Sequence, residues 1–448
     1  MKVLIYTWGS RGDVQPYLAL ARSLNEAGHT ATLAAPAPFE GFAAEHGVDL
    51  YPRDDTQLRL LERPDVKAML FREANRALNK WSKDEKKDFK AKMKALMTDI
   101  KPVLKETFVP MLREQYLAAE SVRPDLIVQT HDDMDYGHFV AEKLGVPYVV
   151  AELYPFYTPS SHYPSMSFQE KEWGPFLNRL SYVLPKLFVP MKGKVNKWRQ
   201  DELGLPLRRG RHNRMVTATG EKVHLLNLFS EHLFPPAPDW PSTVHPIGSP
   251  LLPVAKEYTP PPELEAFMAA GPPPIAIGFG SLSNPDPHAF GRMVVAATEK
   301  AGVRAVVIRG SGECIEVPSP PSNIVVVDSV PFSWLCPRIH AMVHSGGHGV
   351  VHDTLMQGIP TVSSPLFKES ALWGKRVAKT GAGLEPIWQP FLTVENLTEA
   401  LRKLAKDGAM ADAAKDMRAK LESEPGHAKA IEIIEQVATA KVSATAQG

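Results

Sequence analysis

Short apolar runs alternate with amphipathic stretches along this chain, and the alternation occurs in two series. Lys2 to Thr7 is an apolar run of strand length. From about Val14 to Ala27, Tyr17, Leu20, Ala21 and Leu24 recur at i, i+3, i+4 and i+7, one face of a helix that Gly28 ends. Thr30 to Ala35, Phe39 to His46 and Val48 to Tyr51 read as strand, helix and strand, so the opening predicts β-α-β-α-β and a parallel sheet. Asp125 to Thr130 and Pro147 to Ala151 are buried strands around a helix from about Tyr136 to Leu144, and His224 to Phe229 is another strand. The second series has strands at Ile275–Phe279, Arg304–Ile308, Ile324–Val327, Ala341–Val343 and Ile359–Val362. Its helices fall near His288–Ala301, Val350–Gln357 and Val394–Leu404, the last entered through Thr393 as N-cap, and a final helix spans His427–Ala438.

Between these series the pattern changes twice. Leu58 to Tyr116 is helical and charged, with Phe89, Met93, Leu96 and Ile100 on one apolar face beneath a lysine-rich one. Such a helix packs on a domain; the alternative is a weak peripheral contact with an anionic membrane through the Lys80–Lys101 region. Prolines crowd between Pro246 and Pro274, as in a stiff linker. The expected division is a first domain 1–248, a linker 249–273, a second domain 274–425, and a terminal segment 426–448.

Composition narrows the function. With 51 Lys and Arg against 50 Asp and Glu, no long-range field draws the chain to nucleic acid. No run of 18 apolar residues exists to span a bilayer. Two cysteines, Cys314 and Cys336, fit no metal spacing and favour a reducing cytoplasm. His131, Asp132, Asp133 and Asp135 make a poor metal set, having no ligand pair at helical spacing.

The chemistry centres on Ala341 to Trp373. A strand end, the turn Ser345 to Gly349 and a helix place unpaired N–H groups and the positive end of a helix dipole at a sheet edge, an outline suited to a diphosphate. His344 sits where the strand ends and can donate an N–H to a phosphate oxygen. In the first series, Gly9-Ser10-Arg11-Gly12-Asp13 turns the first strand into its helix, and Asp13 reads either as an N-cap or as a general base.

His344-Ser345-Gly346-Gly347-His348-Gly349-Val350, Gly358-Ile359-Pro360-Thr361, Pro365, Glu369, Ser370 and Trp373-Gly374 together resemble the nucleotide-sugar signature of family-1 glycosyltransferases. GSRGDVQP resembles the opening of the sterol-type and glycopeptide-type members, Gly280-Ser281 their GFGS turn, and Pro235 to Pro241 their PRPADWP segment. The resemblance implies an α/β GT-B fold, two doubly wound Rossmann-like domains facing a central cleft, and inverting, metal-independent transfer needing no cofactor. It implies a UDP- or dTDP-sugar donor and a lipophilic small-molecule acceptor such as a natural product, sterol or polyphenol.

By the same resemblance Asp13 is the base. Gly12, Ser281, Val330, His344, Gly346, Gly347, His348, Gly349, Asp353, Glu369 and Ser370 meet the donor, with Asp353 also readable as an exposed helix-face carboxylate. Ser10, His131, Asp132, Tyr154 and Phe156 are the expected acceptor contacts, the last two beside a Pro- and Tyr-rich loop, while His131, Asp132, Asp133 and Asp135 read first as loop and helix-cap residues. Glu369-Ser370 stands where the family usually has Asp-Gln, so the expected donor is one other than UDP-glucose, or several. An epimerase on the same fold and a non-catalytic partner that keeps the fold are the rival readings.

Overall fold

The computed structural model describes residues 1–448 except 79–80, 131–134, 157, 169–172, 184–190, 209–213, 253–257, 281–283, 313 and 446–448; for 75–78, 167, 192 and 441–445 it describes the backbone alone. Two compact units emerge. The first comprises residues 1–59, 100–252 and 424–448, the second 60–99 and 253–423.

The first unit is built on a seven-stranded parallel sheet of β1 (Lys2–Tyr6), β2 (Thr30–Pro36), β3 (Asp49–Arg53), β4 (Leu126–Thr130), β5 (Tyr148–Glu152), β6 (Leu225–Asn227) and β7 (Val244–Pro246). Their order is β3-β2-β1-β4-β5-β6-β7. The second unit has a six-stranded parallel sheet of β8 (Ile275–Gly278), β9 (Ala305–Ile308), β10 (Ile324–Val327), β11 (Ala341–His344), β12 (Thr361–Ser363) and β13 (Gly383–Leu384), in the order β10-β9-β8-β11-β12-β13. Both orders reverse direction beside the first strand of the unit, at β1/β4 and β8/β11. Ligands of doubly wound sheets bind outside the carboxyl ends of strands at such reversals.

The apolar runs are continuous because both sheet faces are covered. In the second sheet Ile275, Ile277, Ala305, Val307, Ala341 and Val343 enter one core cluster. Their neighbours Ala276, Val306, Ile308 and Met342 enter another on the opposite face. Fully burying one such Val or Ile stabilises by roughly 1.5–3 kcal/mol. The helix Arg11–Glu26 buries Val14, Tyr17, Leu18, Leu20, Ala21 and Leu24 and begins three residues before the expected start.

Two regions differ from the sequence reading. The stretch taken as a linker contains a helix, Pro262–Ala269, whose Leu264 is fully buried in the second unit's core, so prolines here start a helix as well as stiffen a chain. Leu58 to Tyr116 resolves into the helices Thr56–Glu62, Pro64–Leu78 and Lys83–Val122. Residues 60–99 group with the second unit, where Pro64–Leu78 contacts the turn Gln389–Phe391. In the last of those helices Phe89 is buried and Met93, Leu96 and Ile100 are half-buried, so the apolar residues offered to a membrane in the Lys80–Lys101 region are turned toward protein. The terminal helix Gly426–Thr445 contacts the helix Arg11–Glu26 and β5, with the Gly426 N–H donating to the Ile247 carbonyl at 2.9 Å.

Candidate functional site

β11 lies between β8 and β12, and its last residue, His344, is in register with Gly278 on one side and Ser363 on the other. The imidazole is 1% exposed. The Gly346 N–H donates to His344 Nδ1 at 2.9 Å, which requires a lone pair there. Burial lowers the pKa of this histidine to about 3, so the ring is neutral and its proton resides on Nε2, a tautomer assigned from that bond. Nε2 is buried and has no hydrogen-bond partner among the described residues; the hydroxyls of Ser363 and Ser364 are in the same position. A buried polar group left unpaired costs about 1–3 kcal/mol. Three of them along one sheet edge mark a surface shaped for a polar ligand. Ser363 and Ser364 were missed in the sequence, where two serines after a strand look like an ordinary turn.

The turn after His344 is fixed by glycine. Gly346 has φ +79°, and a Cβ there would lie 2.7 Å from the Ser370 carbonyl oxygen. Gly347 is the N-cap of the helix His348–Met356 and brings no capping side chain, so the first-turn N–H groups of His348, Gly349 and Val350 lack a side-chain cap. The helix starts two residues earlier than expected, and its first-turn donors are the N–H groups of His348, Gly349 and Val350, where the sequence reading named Gly347 to Gly349.

The His348 ring is not an exposed donor contact. It is buried against His352 (centroids 4.2 Å apart) and edge-on to Trp373 (5.9 Å), a packed aromatic floor under the turn. Burial brings the His352 pKa down to about 4.

Glu369 and Ser370 occupy the first turn of the helix Lys368–Thr380, Glu369 half-buried and Ser370 buried. Asp353 is half-buried one turn into its helix, and its charge adds to burial in raising the thiol of Cys336 to about 12. Cys314 and Cys336 are both buried and unlinked. Val330 is buried just before the helix Phe332–Leu335. Trp334 is half-buried, with the Arg338 guanidinium 4.6 Å above its ring and Tyr258 at its edge. Ser281 lies outside the described residues.

At the reversal point of the first sheet the helix Arg11–Glu26 begins. Ser10, not Asp13, is its N-cap. Asp13 is three residues in, and its Oδ2 accepts from the Ser10 N–H at 2.8 Å and the Ser10 hydroxyl at 3.0 Å, the reciprocal half of a capping box. Among the described residues Oδ1 carries no hydrogen bond. Gly9 has φ +129°, and a Cβ there would lie 2.5 Å from Oδ2, so the carboxylate rests against bare backbone. Burial raises the Asp13 pKa against the lowering effect of the two Ser10 bonds. A carboxylate with one oxygen tied and a raised pKa combines fixed orientation with proton affinity. The capping contacts therefore fall on one oxygen and leave the other without a hydrogen bond among the described residues. Gly12 is exposed in the first turn of this helix.

Asp135, read as a loop or capping residue, is a fully buried ion partner of Arg53 at 3.0 Å, and Arg53 also donates to the Thr7 carbonyl at 3.1 Å. The Thr130 hydroxyl donates to the other Asp135 oxygen at 2.6 Å. Tyr154 is buried and edge-on to Phe156, which is 39% exposed. Asp239, in the Pro235–Pro241 run, accepts from the Ser160 hydroxyl and from the Ser161 N–H and hydroxyl at 2.7–2.8 Å, fixing the loop that follows Phe156. His131 and Asp132 lie outside the described residues.

Residues 3–160 match the glycosyltransferase family 28 N-terminal domain, and residues 298–437 match the erythromycin biosynthesis protein CIII-like C-terminal domain. A sterol 3-beta-glucosyltransferase of Arabidopsis thaliana is 30% identical over 439 residues, covering 96% of this chain and 67% of the relative. The chain belongs to the GT-B glycosyltransferases. A sterol 3-beta-glucosyltransferase of Aspergillus clavatus is 29% identical over 452 residues, 97% of this glycosyltransferase but 29% of the relative, so the chain spans under a third of that fungal protein. The crystal structure of the glycosyltransferase of kitacinnamycin superposes with a TM-score of 0.68 at 21% identity over 97% of this chain and 98% of the other. The glycosyltransferase VinC, solved in complex with dTDP, gives 0.64 at 18% identity over 98% and 100%. These structural likenesses establish the fold.

Among the described residues no helix is long and apolar enough to cross a membrane.

Proposed function

We propose that this glycosyltransferase moves a sugar, with inversion and without a metal, from a uridine or thymidine diphosphate sugar to a hydroxyl of a lipophilic small molecule of sterol or natural-product type. The observation that carries the reading is His344, a neutral buried imidazole with an unpartnered Nε2–H at the strand reversal, beside an uncapped helix N-terminus. Asp13 takes the proton of the acceptor hydroxyl, whose oxygen forms the new bond to the anomeric carbon as the bond to the diphosphate oxygen breaks. The diphosphate leaves with the electron pair, and its charge is stabilised by His344 Nε2–H and the N–H groups of His348, Gly349 and Val350, fixed dipoles that need no reorganisation. The names of the sterol-glucosylating relatives support the acceptor class, and VinC in complex with dTDP supports a pyrimidine nucleotide. Glu369 and Ser370, with Val330 and Asp353, are assigned to the sugar and nucleoside ends of the donor; Tyr154 and Phe156 are assigned to the acceptor.

Asp13→Asn is the test. Asn keeps an oxygen for the Ser10 donors, so the helix start survives, while transfer falls by roughly 10² to 10⁴ as expected for loss of a general base. Calorimetry with UDP and dTDP on the same variant should give unchanged affinity. Activity close to that of the parent removes Asp13 from the mechanism; loss of nucleotide affinity makes it a structural residue. The assay, run in EDTA and across a donor panel, also reports on metal independence and on the Glu369-Ser370 substitution, which predicts use of donors besides UDP-glucose.

A further inference from the structure

Thr7 follows β1, and every polar group it has is engaged inside the first unit. It is 1% exposed. Its N–H donates to the Ala34 carbonyl at 3.0 Å, its hydroxyl donates to the Asp13 carbonyl at 2.9 Å, and its own carbonyl accepts from Arg53 Nη1 at 3.1 Å. The hydroxyl bond is not needed to satisfy Asp13, whose carbonyl, in the first turn of an α-helix, already takes the N–H of Tyr17 four residues on. It offsets a weakness beside it. Pro16 lies inside the helix Arg11–Glu26 and has no N–H, so the Gly12 carbonyl loses its intrahelical donor and the turn carrying Asp13 is joined to the helix body one bond short. Thr7 supplies a tie from outside the helix.

Arg53, the last residue of β3, anchors that tie. In the order β3-β2-β1-β4 its side chain reaches past β2 to Thr7 after β1 and to Asp135 beyond β4, and none of it is exposed. A buried ion pair is a poor device for stability, since apolar residues of similar volume often do as well or better. This pair is also incompletely satisfied, because Arg53 Nε and Nη2 are buried with no hydrogen-bond partner among the described residues, and unpaired buried donors destabilise. What the pair achieves is geometric. Arg53 Nη1 alone fixes both the Thr7 carbonyl and Asp135 Oδ1, while the Thr130 hydroxyl fixes Asp135 Oδ2. We propose that Thr7 and Arg53 are positioning residues that hold the Asp13 carboxylate in place at the carboxyl edge of the first sheet, a proposal that rests on the reading of Asp13 as the base. Neither residue acts on the reacting atoms. They keep the turn of residues 8–13 from shifting, and a displacement of about 1 Å in a reacting group can cost about 10² in rate.

Thr7→Val keeps the shape and removes only the hydroxyl, whereas Thr7→Ser keeps the hydroxyl. Hydrogen–deuterium exchange of the full chain, followed over residues 8–18, needs no substrate. Thr7→Val should exchange about five- to tenfold faster there, as for the loss of one hydrogen bond in a locally opening segment. Its thermal midpoint should stay within about 4 °C of the parent's, and Thr7→Ser should exchange as the parent does. Turnover is measured as UDP-glucose consumed in the presence of cholesterol. The kcat of Thr7→Val should fall by about 10- to 100-fold with the KM for UDP-glucose unchanged, and Thr7→Ser should restore it. Arg53→Met leaves Asp135 buried without its partner and should lower the thermal midpoint; the double variant R53M/D135L should recover the midpoint but neither kcat nor slow exchange. Unchanged exchange in Thr7→Val, or a kcat equal to the parent's, overturns the role of Thr7. Recovery of kcat together with the midpoint in the double variant makes the ion pair structural and overturns the role of Arg53. Asp13→Asn, assayed alongside, separates the two readings. Full turnover in that variant removes the base and the proposal with it, whereas a fall in Asp13→Asn with none in Thr7→Val overturns the positioning alone.

Discussion

His344 is held neutral by burial and held in one tautomer by the Gly346 N–H, so its remaining N–H is offered at any pH at which the fold persists. His344→Ala should weaken UDP or dTDP binding by about 1.5–3 kcal/mol, the range for a hydrogen bond to a charged group, and leave uridine or thymidine binding unchanged. Calorimetry with the four ligands decides it, and equal losses for nucleoside and nucleotide would mean that the turn, not the contact, was damaged. The pKa makes a second, independent expectation. Between pH 3 and 6.5 the unfolded chain takes up a proton at this position that the folded chain refuses, because the folded value is about 3 against an ordinary 6.5. Stability from His344 is thus complete above about pH 6.5 and lost as pH falls through that window, with His352, at about 4, acting in the same direction. Nucleotide affinity of the folded protein, by contrast, should show no inflection near 6.5 from this residue.

The β11 turn tests whether backbone geometry or ligand contact requires each glycine. Gly346→Ala forces a side chain into φ +79° and against the Ser370 carbonyl at 2.7 Å and Ser363 Cβ at 3.0 Å, so it should lower the melting temperature and abolish nucleotide binding together. Gly347→Ala places a Cβ 3.9 Å from the Ser345 hydroxyl at φ −62°, a conformation any residue adopts, so the fold should stand. A drop in nucleotide affinity for Gly347→Ala without a drop in melting temperature would then report a ligand against that Cα. Equal thermal loss in both variants would discard the distinction. At this scale the parallel strands were legible in the sequence because burial on both faces leaves uninterrupted apolar runs, and Ile324–Val327 falls where the run lies. Helix starts were less so. Phe367 and Gly347 cap their helices with backbone alone, so no Ser, Thr, Asp or Asn announced the first turns that hold Glu369 and Val350. β7 is three residues long and ends in proline, too short to show alternation. The Arg53–Asp135 pair joins residues 82 apart, and each charge alone reads as solvated surface.

For the whole molecule, the segment that returns from the second unit to the first begins at Glu424, and its hold on the first unit carries a charge problem. Glu424 Oε1 accepts from the Ser230 hydroxyl at 2.5 Å, and its other oxygen presses on Gly248, where a Cβ would lie 2.6 Å from it at φ +90°. Burial raises this carboxyl from an ordinary 4.5 to about 7, with the Ser230 bond opposing the rise and Glu231 adding to it. Because the folded value lies above the unfolded one, the folded chain keeps a proton between those limits that the unfolded chain releases. The associated stability is complete below about pH 4.5 and lost as pH rises through about 7, the reverse of the His344 window. Glu424→Gln preserves the shape and the oxygen that accepts from Ser230 but never ionises. Its melting temperature should match that of the parent near pH 5 and exceed it near pH 8, in scans of the full chain at both values. A constant offset at the two pH values would show that Glu424 does not titrate in this range, and a variant less stable than the parent at pH 8 would show that the buried carboxylate is better solvated at the return crossing than its surroundings imply.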